Sequence, residues 1–305
     1  MKNVIISGAN GFIGKHLVSE LLKQDWTVYA LVRDKNSLNE FAHKSLRVFQ
    51  AQAQDYKRLD EIIKERDIAL FYHLSWDGTF GESFKNYELQ MKNAVNTADA
   101  LMSAIKMKCK KFIMAGTMVE IEVKNYMNKQ DISPRISCIY GMAKAAAEML
   151  CKILACNYSI EFNCAILANV YGEGDKSKMV QNAIIDCLNK GISPKLIEGN
   201  TLYDWLYVKD AVQALIAAGL KGVNMKTYYA GHRQIKTFKE IVKEVGAIIN
   251  PNIPLKFGEY PDNAQFDYSK IDLDELYRDS GFEAKADFKE SILNTAQWVK
   301  SLNWK

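Results

Sequence analysis

The sequence lacks the marks of several large functional classes. Its 40 Lys and Arg against 36 Asp and Glu leave a formal charge of only +4 over 305 residues, with no dense basic stripe. That is not the electrostatic footprint of a nucleic-acid-binding protein, and no nucleic-acid partner is expected. The nearest basic cluster, Lys108, Lys110 and Lys111, reads as a solvated helix end leading into a strand. The six cysteines (Cys109, Cys138, Cys151, Cys156, Cys164, Cys187) have no metal-ligand spacing, and no histidine pairs with Cys151 and Cys156, so no metal site is expected. Gly-x-Ser-x-Gly is absent and the four histidines offer no evident triad partner, which makes a hydrolase a poor reading. There is no internal repeat, low-complexity tract, long flexible linker or apolar run of membrane length. Met1 to Ser7 already reads as a strand and leaves no room for a signal peptide, so the thiols are read as reduced and the chain as cytoplasmic.

What is present is an ordinary globular composition, 48% hydrophobic and 25% charged, in a chain long enough for two domains or one large one. Apolar runs at Val4–Ile6, Val28–Val32, Leu46–Phe49, Ala69–Leu74, Phe112–Ala115 and Phe162–Leu167 alternate with helical patterns, the longest from about Tyr87 to Lys106. Continuous apolar strands alternating with helices indicate a parallel sheet covered on both faces. Beyond Asn169 the elements shorten, and amphipathic helices around Phe238–Ile249 and Phe288–Trp298 close the chain.

Two stretches carry the chemistry. Gly8, Gly11 and Gly14, with Asn10, Phe12 and Ile13 between them, lie directly after the first strand and open a helix. Glycines there permit a tight turn and let a pyrophosphate approach the backbone, while the helix start supplies unpaired N–H groups and a positive dipole. The spacing differs from the common Gly-x-Gly-x-x-Gly fingerprint. At the end of the second strand, where an acidic residue holds the ribose hydroxyls of NAD, stands Val32 followed by Arg33. An arginine can hold a 2′-phosphate by charge-assisted bonds, so the expected cofactor is NADP, with NAD as the alternative. Asp55 can reach the adenine amino group or simply cap a helix. The second stretch is Tyr140-Gly141-Met142-Ala143-Lys144. Residues four apart share a helix face, and an ammonium beside a phenol favours the phenolate, making a proton-transfer pair.

The glycine segment, His73-Leu74-Ser75, Asn93, Thr117, Tyr140/Lys144, Asn169-Val170-Tyr171-Gly172 and Asp204-Trp205-Leu206-Tyr207-Val208-Lys209-Asp210 occur in the order and spacing of one family. Together they resemble the extended short-chain dehydrogenase/reductases over nearly the whole chain. The resemblance implies an α/β fold, a Rossmann-type doubly wound parallel sheet with a smaller mixed α/β C-terminal substrate domain. It implies a cofactor site with Leu74, Ser75 and Lys144 beside the glycine loop, Thr117 holding the reacting oxygen, and Tyr140 donating the proton. Lys144 would hold the ribose hydroxyls and lower the phenol's pKa, and Asn93 would support a relay water.

Within the family, Gly116-Thr117-Met118-Val119-Glu120 is similar to the form found in reductases of nucleotide-linked 4-keto-6-deoxy sugars. Sugar-nucleotide 4,6-dehydratases follow the threonine with Asp and Glu, where this chain has Met118 and Val119. The resemblance therefore implies an NADP-dependent reductase acting on a nucleotide sugar. The alternatives are an NAD-dependent epimerase and a cofactor-sensing regulator without catalysis. Asn169 and Tyr171 match residues that line the sugar–diphosphate pocket. Glu120 either sets the substrate ring or pairs with a lysine, and Trp76 and Phe80 either stack on substrate or belong to the core. Family arginines are missing at Ile166, at Tyr203 and near Tyr260-Pro261-Asp262. Lys178 and Arg233 are the candidate replacements, each with a plain solvated-charge reading beside it. The expected division is 1–170 with 204–230 for the cofactor, and 171–203 with 231–305 for the substrate. The resemblance also implies a homodimer formed through the helices at Tyr87–Lys106 and Tyr140–Asn157.

Overall fold

The computed structural model describes residues 2–127, 133–262 and 266–304. Seven strands form one parallel sheet in the order β3-β2-β1-β4-β5-β6-β11. They are β1 (Asn3–Ser7), β2 (Thr27–Val32), β3 (Leu46–Gln50), β4 (Leu70–His73), β5 (Lys111–Thr117), β6 (Glu161–Leu167) and, at the far edge, β11 (Thr227–Ala230). All five residues of β1 and all four of β4 are buried, as their unbroken apolar runs require in a sheet covered on both faces. Phe71, Phe112 and Phe162 stand opposite one another on β4, β5 and β6 with ring centroids 4.9 and 6.4 Å apart. Each such contact contributes about 0.5–1.5 kcal/mol beyond area burial, which helps set the order of these strands.

Helices α1 (Phe12–Lys23) and α7 (Val208–Lys221) pack together, and α3 (Tyr87–Lys106) packs along α5 (Cys138–Tyr158). A short α2 (Leu59–Ile62) precedes β4. The chain runs from β1 outward through β2 to β3, then returns to place β4 on the other side of β1. This reversal of strand order opens a crevice at the carboxyl ends of β1 and β4, where ligands of such sheets bind.

A second core forms from α6 (Val180–Asn189), α8 (Phe238–Ile249) and α10 (Phe288–Ser301), centred on Ile185, Phe238, Val242 and Ile292. Short strand pairs decorate it: β7 (Asn169–Tyr171) with β10 (Trp205–Tyr207), β8 (Lys195–Ile197) with β13 (Lys256–Tyr260), and β9 (Leu202–Tyr203) with β12 (Lys236–Thr237). α9 (Glu275–Ser280) leans on α7 and β11. The two cores interleave more finely than the sequence division. Trp205, Tyr207 and Val208 belong to the second core, while Tyr268 and Leu276 pack into the first. Between β5 and α5 lies a further helix, α4 (Met118–Met127), whose Glu120 and Glu122 are fully buried. No helix among the described residues is long and apolar enough to cross a membrane.

Candidate active site

A cleft of about 960 Å³ opens at the carboxyl edge of the sheet and is lined by the loop after β1, by Gly116 and Thr117, by Tyr140, and by Ala168 and Val170. Asn10, Gly11, Phe12 and Ile13 form one wall of it. The glycines are dictated by space. Gly8 has φ +69°, and a Cβ there would sit 2.9 Å from the Ser75 backbone nitrogen. A Cβ on Gly14 would lie 2.1 Å from the Gly8 carbonyl oxygen. Gly11 caps α1 without any side-chain acceptor, so the first-turn amides stay available for an anion. This is a backbone cradle that a Cβ would fill, and its geometry fits a pyrophosphate.

Beside it a narrower crevice is bounded by Gly8, Val32, Arg33, Leu74, Ser75 and Asp77. Arg33 is largely exposed and pairs with Asp77 at 3.2 Å. Asp55 does not line this crevice. Its carboxylate accepts from the Gln52 amide at 2.9 Å and from Arg58 at 3.2 Å, so it is the cap and not the adenine contact. Tyr56 and Ala51, which the sequence reading passed over, line the crevice instead.

Thr117, at the end of β5, and Tyr140, in the first turn of α5, both face the cleft. A Cβ on Gly141 would meet the Val119 carbonyl oxygen at 2.5 Å, so glycine at that position lets α5 approach α4 closely. The electrostatics differ from the sequence expectation. The Lys144 ammonium is buried; it donates to the Ala115 carbonyl at 2.7 Å and lies 4.1 Å from the centre of the Trp76 ring. Burial lowers its pKa, against the opposing pull of Glu120. The Tyr140 phenol is pushed up, first by burial and then by the Glu120 charge, while a hydrogen bond with Thr117 acts the other way. The expected lowering of the phenol by Lys144 is thus corrected: burial outweighs it, and the cation is engaged by a carbonyl and an indole face.

Glu120 is also corrected. It is fully buried and does not contact the cleft; its Oε1 accepts from the Thr117 amide at 2.8 Å, and its Oε2 has no partner. Burial and the nearby Glu148 raise its pKa. Burial works to raise Glu148 as well, but Lys124, Lys152 and Thr227 hold it down at about 2. Asn93 is engaged with the loop after β4. Its Nδ2 donates to the Asp77 carbonyl at 2.8 Å and its Oδ1 accepts from the Asp77 amide at 3.2 Å.

On the far side of the cleft the predicted substrate residues are only partly in place. The side chain of Asn169 donates to the Asp204 carbonyl at 3.2 Å, while its neighbours Ala168 and Val170 line the cleft. Tyr171 is buried in the second core, its hydroxyl 2.6 Å from Ser291 Oγ. Lys178 sits 5.7 Å from the Trp304 ring, and Lys176 faces the cleft in its stead. Arg233 is held by Asp274 at 2.5 Å and Glu283 at 3.6 Å, outside the cleft. Trp76 is part of the wall around Tyr140, their rings 6.0 Å apart edge to face, and Phe80 lines the cleft mouth. Lys15 and His16, the two residues after Gly14, also line the cleft and were missed. The signal was their place in the first turn of α1.

The family model for the NAD dependent epimerase/dehydratase family matches residues 4–231, a span that includes the glycine loop, Thr117, Tyr140 and Lys144. The chain belongs to the NAD dependent epimerase/dehydratase family. Among similar proteins is a Methanocaldococcus jannaschii chain provisionally named UDP-glucose 4-epimerase, 28% identical over 98% of this chain and 99% of its own length. Another is a dTDP-4-dehydro-6-deoxyglucose reductase of Escherichia coli, 24% identical over 83% of this chain and 84% of its own. A solved structure of UDP-glucose 4-epimerase with UDP-glucose from Thermotoga maritima shares the fold, with a TM-score of 0.80 at 20% identity, over 98% of this chain and 99% of that one. This member of the family therefore carries the seven-stranded parallel sheet, with the glycine loop, Thr117 and Tyr140 lining one cleft and Lys144 buried one turn beyond Tyr140.

Proposed function

We propose that the protein is an NADP-dependent reductase of a nucleotide-linked 4-keto-6-deoxy sugar, with Tyr140 as the proton donor. The observation that carries this reading is the chemistry around Thr117. A 4,6-dehydratase needs a second acid/base next to the threonine, and here Met118 is buried and Val119 is apolar. The one nearby acid, Glu120, is turned inward onto the Thr117 amide. Glu173 and Asp175 at the cleft are taken up by Tyr207 and by Ser177 and Asn182. Glu40, also at the cleft, pairs with Lys15 at 2.6 Å. The Thr117 hydroxyl to orient a carbonyl oxygen, the Tyr140 phenol to protonate it and the buried Lys144 cation suffice for reduction of a ketone to an alcohol.

The dinucleotide, held by the amides at the start of α1 and by Gly8, Leu74 and Ser75, supplies the hydride when bound. Arg33 supports the NADP preference, since its guanidinium borders the crevice after β2 and can leave the exposed Asp77 pair for a 2′-phosphate. Thr117 orients the ketone oxygen, Tyr140 delivers the proton, and Lys144 keeps a positive charge behind the ribose. Lys15, Lys176 and backbone amides are the groups available for a diphosphate. An epimerase with bound NAD is the second reading, favoured by the epimerase names of two of the similar proteins. Retention of Thr117, Tyr140 and Lys144 together argues against a regulator without catalysis.

NADPH oxidation against a panel of nucleotide-linked 4-keto-6-deoxyhexoses tests the proposal, with stoichiometric NADP⁺ formation expected. Tightly held NAD in the purified protein, with sugar interconversion but no net NADPH consumption, would establish the epimerase instead.

A further inference from the structure

The polar face of α3 does something unusual for a helix packed into a protein. Gln90 is fully buried, and its side chain is spent on one loop. Its Oε1 accepts from the Trp76 indole N–H at 2.7 Å, and its Nε2 donates to the carbonyls of Gly78 at 2.7 Å and Ser83 at 3.0 Å. Asn93, one turn along, holds the Asp77 backbone at both its amide and its carbonyl. The loop is folded tightly on itself at Gly78, where φ is +72° and a Cβ would meet Ser83 Cβ at 2.8 Å.

The aromatic side chains of this loop stand around the proton donor. Trp76 meets Tyr140 edge to face, and the Phe84 ring lies 4.5 Å from it. The same Trp76 ring carries the Lys144 ammonium on its face at 4.1 Å. One indole thus touches both halves of the Tyr–Lys pair, and one buried amide fixes that indole. The indole face attracts the desolvated cation electrostatically, so displacing the ring alters the environment of Lys144 directly.

We propose that Gln90 is a positioning residue for the Tyr140–Lys144 pair, acting through Trp76. Gln90 touches neither reacting group; it sets the ring that orders both. Removing its amide takes the acceptor from the indole N–H and a donor from the Gly78 carbonyl, while the Ser83 carbonyl keeps the Asn86 amide, and the half-buried loop must move to satisfy the first two. The turnover part of the test rests on the reductase reading, whereas the spectroscopic part needs no substrate.

The protein has five tryptophans, so its ¹H–¹⁵N spectrum holds five indole signals, and Trp76→Phe identifies the one from Trp76. In Gln90→Leu that signal is expected to lose its hydrogen-bonded shift and its protection from exchange, while the other four stay in place. With the keto sugar, kcat is expected to fall about tenfold or more with the NADPH dissociation constant changed less than about threefold, and the pH profile of kcat/KM to move. Because the effect runs through the indole, Gln90→Leu in the Trp76→Phe background should cost much less than it does alone. Trp76→Phe removes the N–H together with the five-membered ring of the indole, and reports in the same direction should Gln90→Leu fail to fold. An unmoved Trp76 signal in Gln90→Leu, or equal costs in both backgrounds, overturns the proposal. A wild type that shows the indole behaviour but turns over no keto sugar rejects the reductase reading alone.

Discussion

Gly14→Ala separates the two things a glycine near a helix start can do. Inside a helix, alanine in place of glycine is stabilising by roughly 0.5–1 kcal/mol. At Gly14, however, the new Cβ would lie 2.1 Å from the Gly8 carbonyl oxygen and 3.0 Å from Ala9 atoms. Ordinary contact starts near 3.4 Å, so the loop must retreat by the difference, 3.4 − 2.1 = 1.3 Å. The Gly8 carbonyl also accepts from the Gly11 amide at 2.9 Å, so the displacement is transmitted through the whole cradle. A shift of that size takes an amide out of hydrogen-bond range of a phosphate oxygen. Bonds to a charged group contribute about 1.5–3 kcal/mol each, so losing two weakens dinucleotide binding by roughly 10²- to 10⁴-fold. Steric displacement therefore outweighs helix propensity. NADPH fluorescence titration measures the affinity, and a thermal melt shows whether the fold survives. A variant with raised Tm that binds NADPH within threefold of wild type refutes the cradle argument.

Three further outcomes are expected. Arg33→Ala should weaken NADPH by about 1.4–2.7 kcal/mol, tenfold to a hundredfold, and leave NADH nearly unchanged, as a charge-assisted contact to the 2′-phosphate requires; equal losses for both cofactors in the same titrations contradict it. His73 is buried between Ser7 and Thr97, and burial foremost, with the Lys144 charge, lowers it to about 3. A depressed histidine adds stability above its unfolded pKa near 6.5 that is lost as pH falls toward 3, so urea melts at pH 7 and 4.5 should show a loss about 2–3 kcal/mol smaller in His73→Asn than in wild type. The outer faces of α3 and α5 expose Met91, Val95, Met149 and Ile153, and Val95→Glu with Ile153→Glu should turn a sedimenting homodimer into a monomer; a wild type that already sediments as a monomer rejects that assembly.

The central sheet was legible because its strands carry apolar runs separated by helical patterns, which placed β1 to β6. The glycines were legible because a strand-to-helix turn with no room for a Cβ demands them, and the place of Tyr140 beside Thr117 was legible through the family resemblance. What escaped is long-range pairing. Lys178 against Trp304 and Arg233 held by Asp274 and Glu283 depend on neighbours that sequence spacing does not reveal. Glu120 was misread because α4, which turns it inward, begins within a stretch rich in charged residues and without a clear apolar stripe. Gln90 carried no signal, since an amide on a helix reads as surface until the loop it holds is placed.

The account stands on Tyr140 giving its proton to a carbonyl oxygen beside a bound dinucleotide. Tyr140→Phe keeps the ring between Trp76 and Phe84 and removes only the hydroxyl. Paired measurements of NADPH affinity and keto-sugar reduction on this variant should give an unchanged dissociation constant and turnover lower by about 10² or more. Turnover within threefold of wild type at full cofactor occupancy would contradict the central claim.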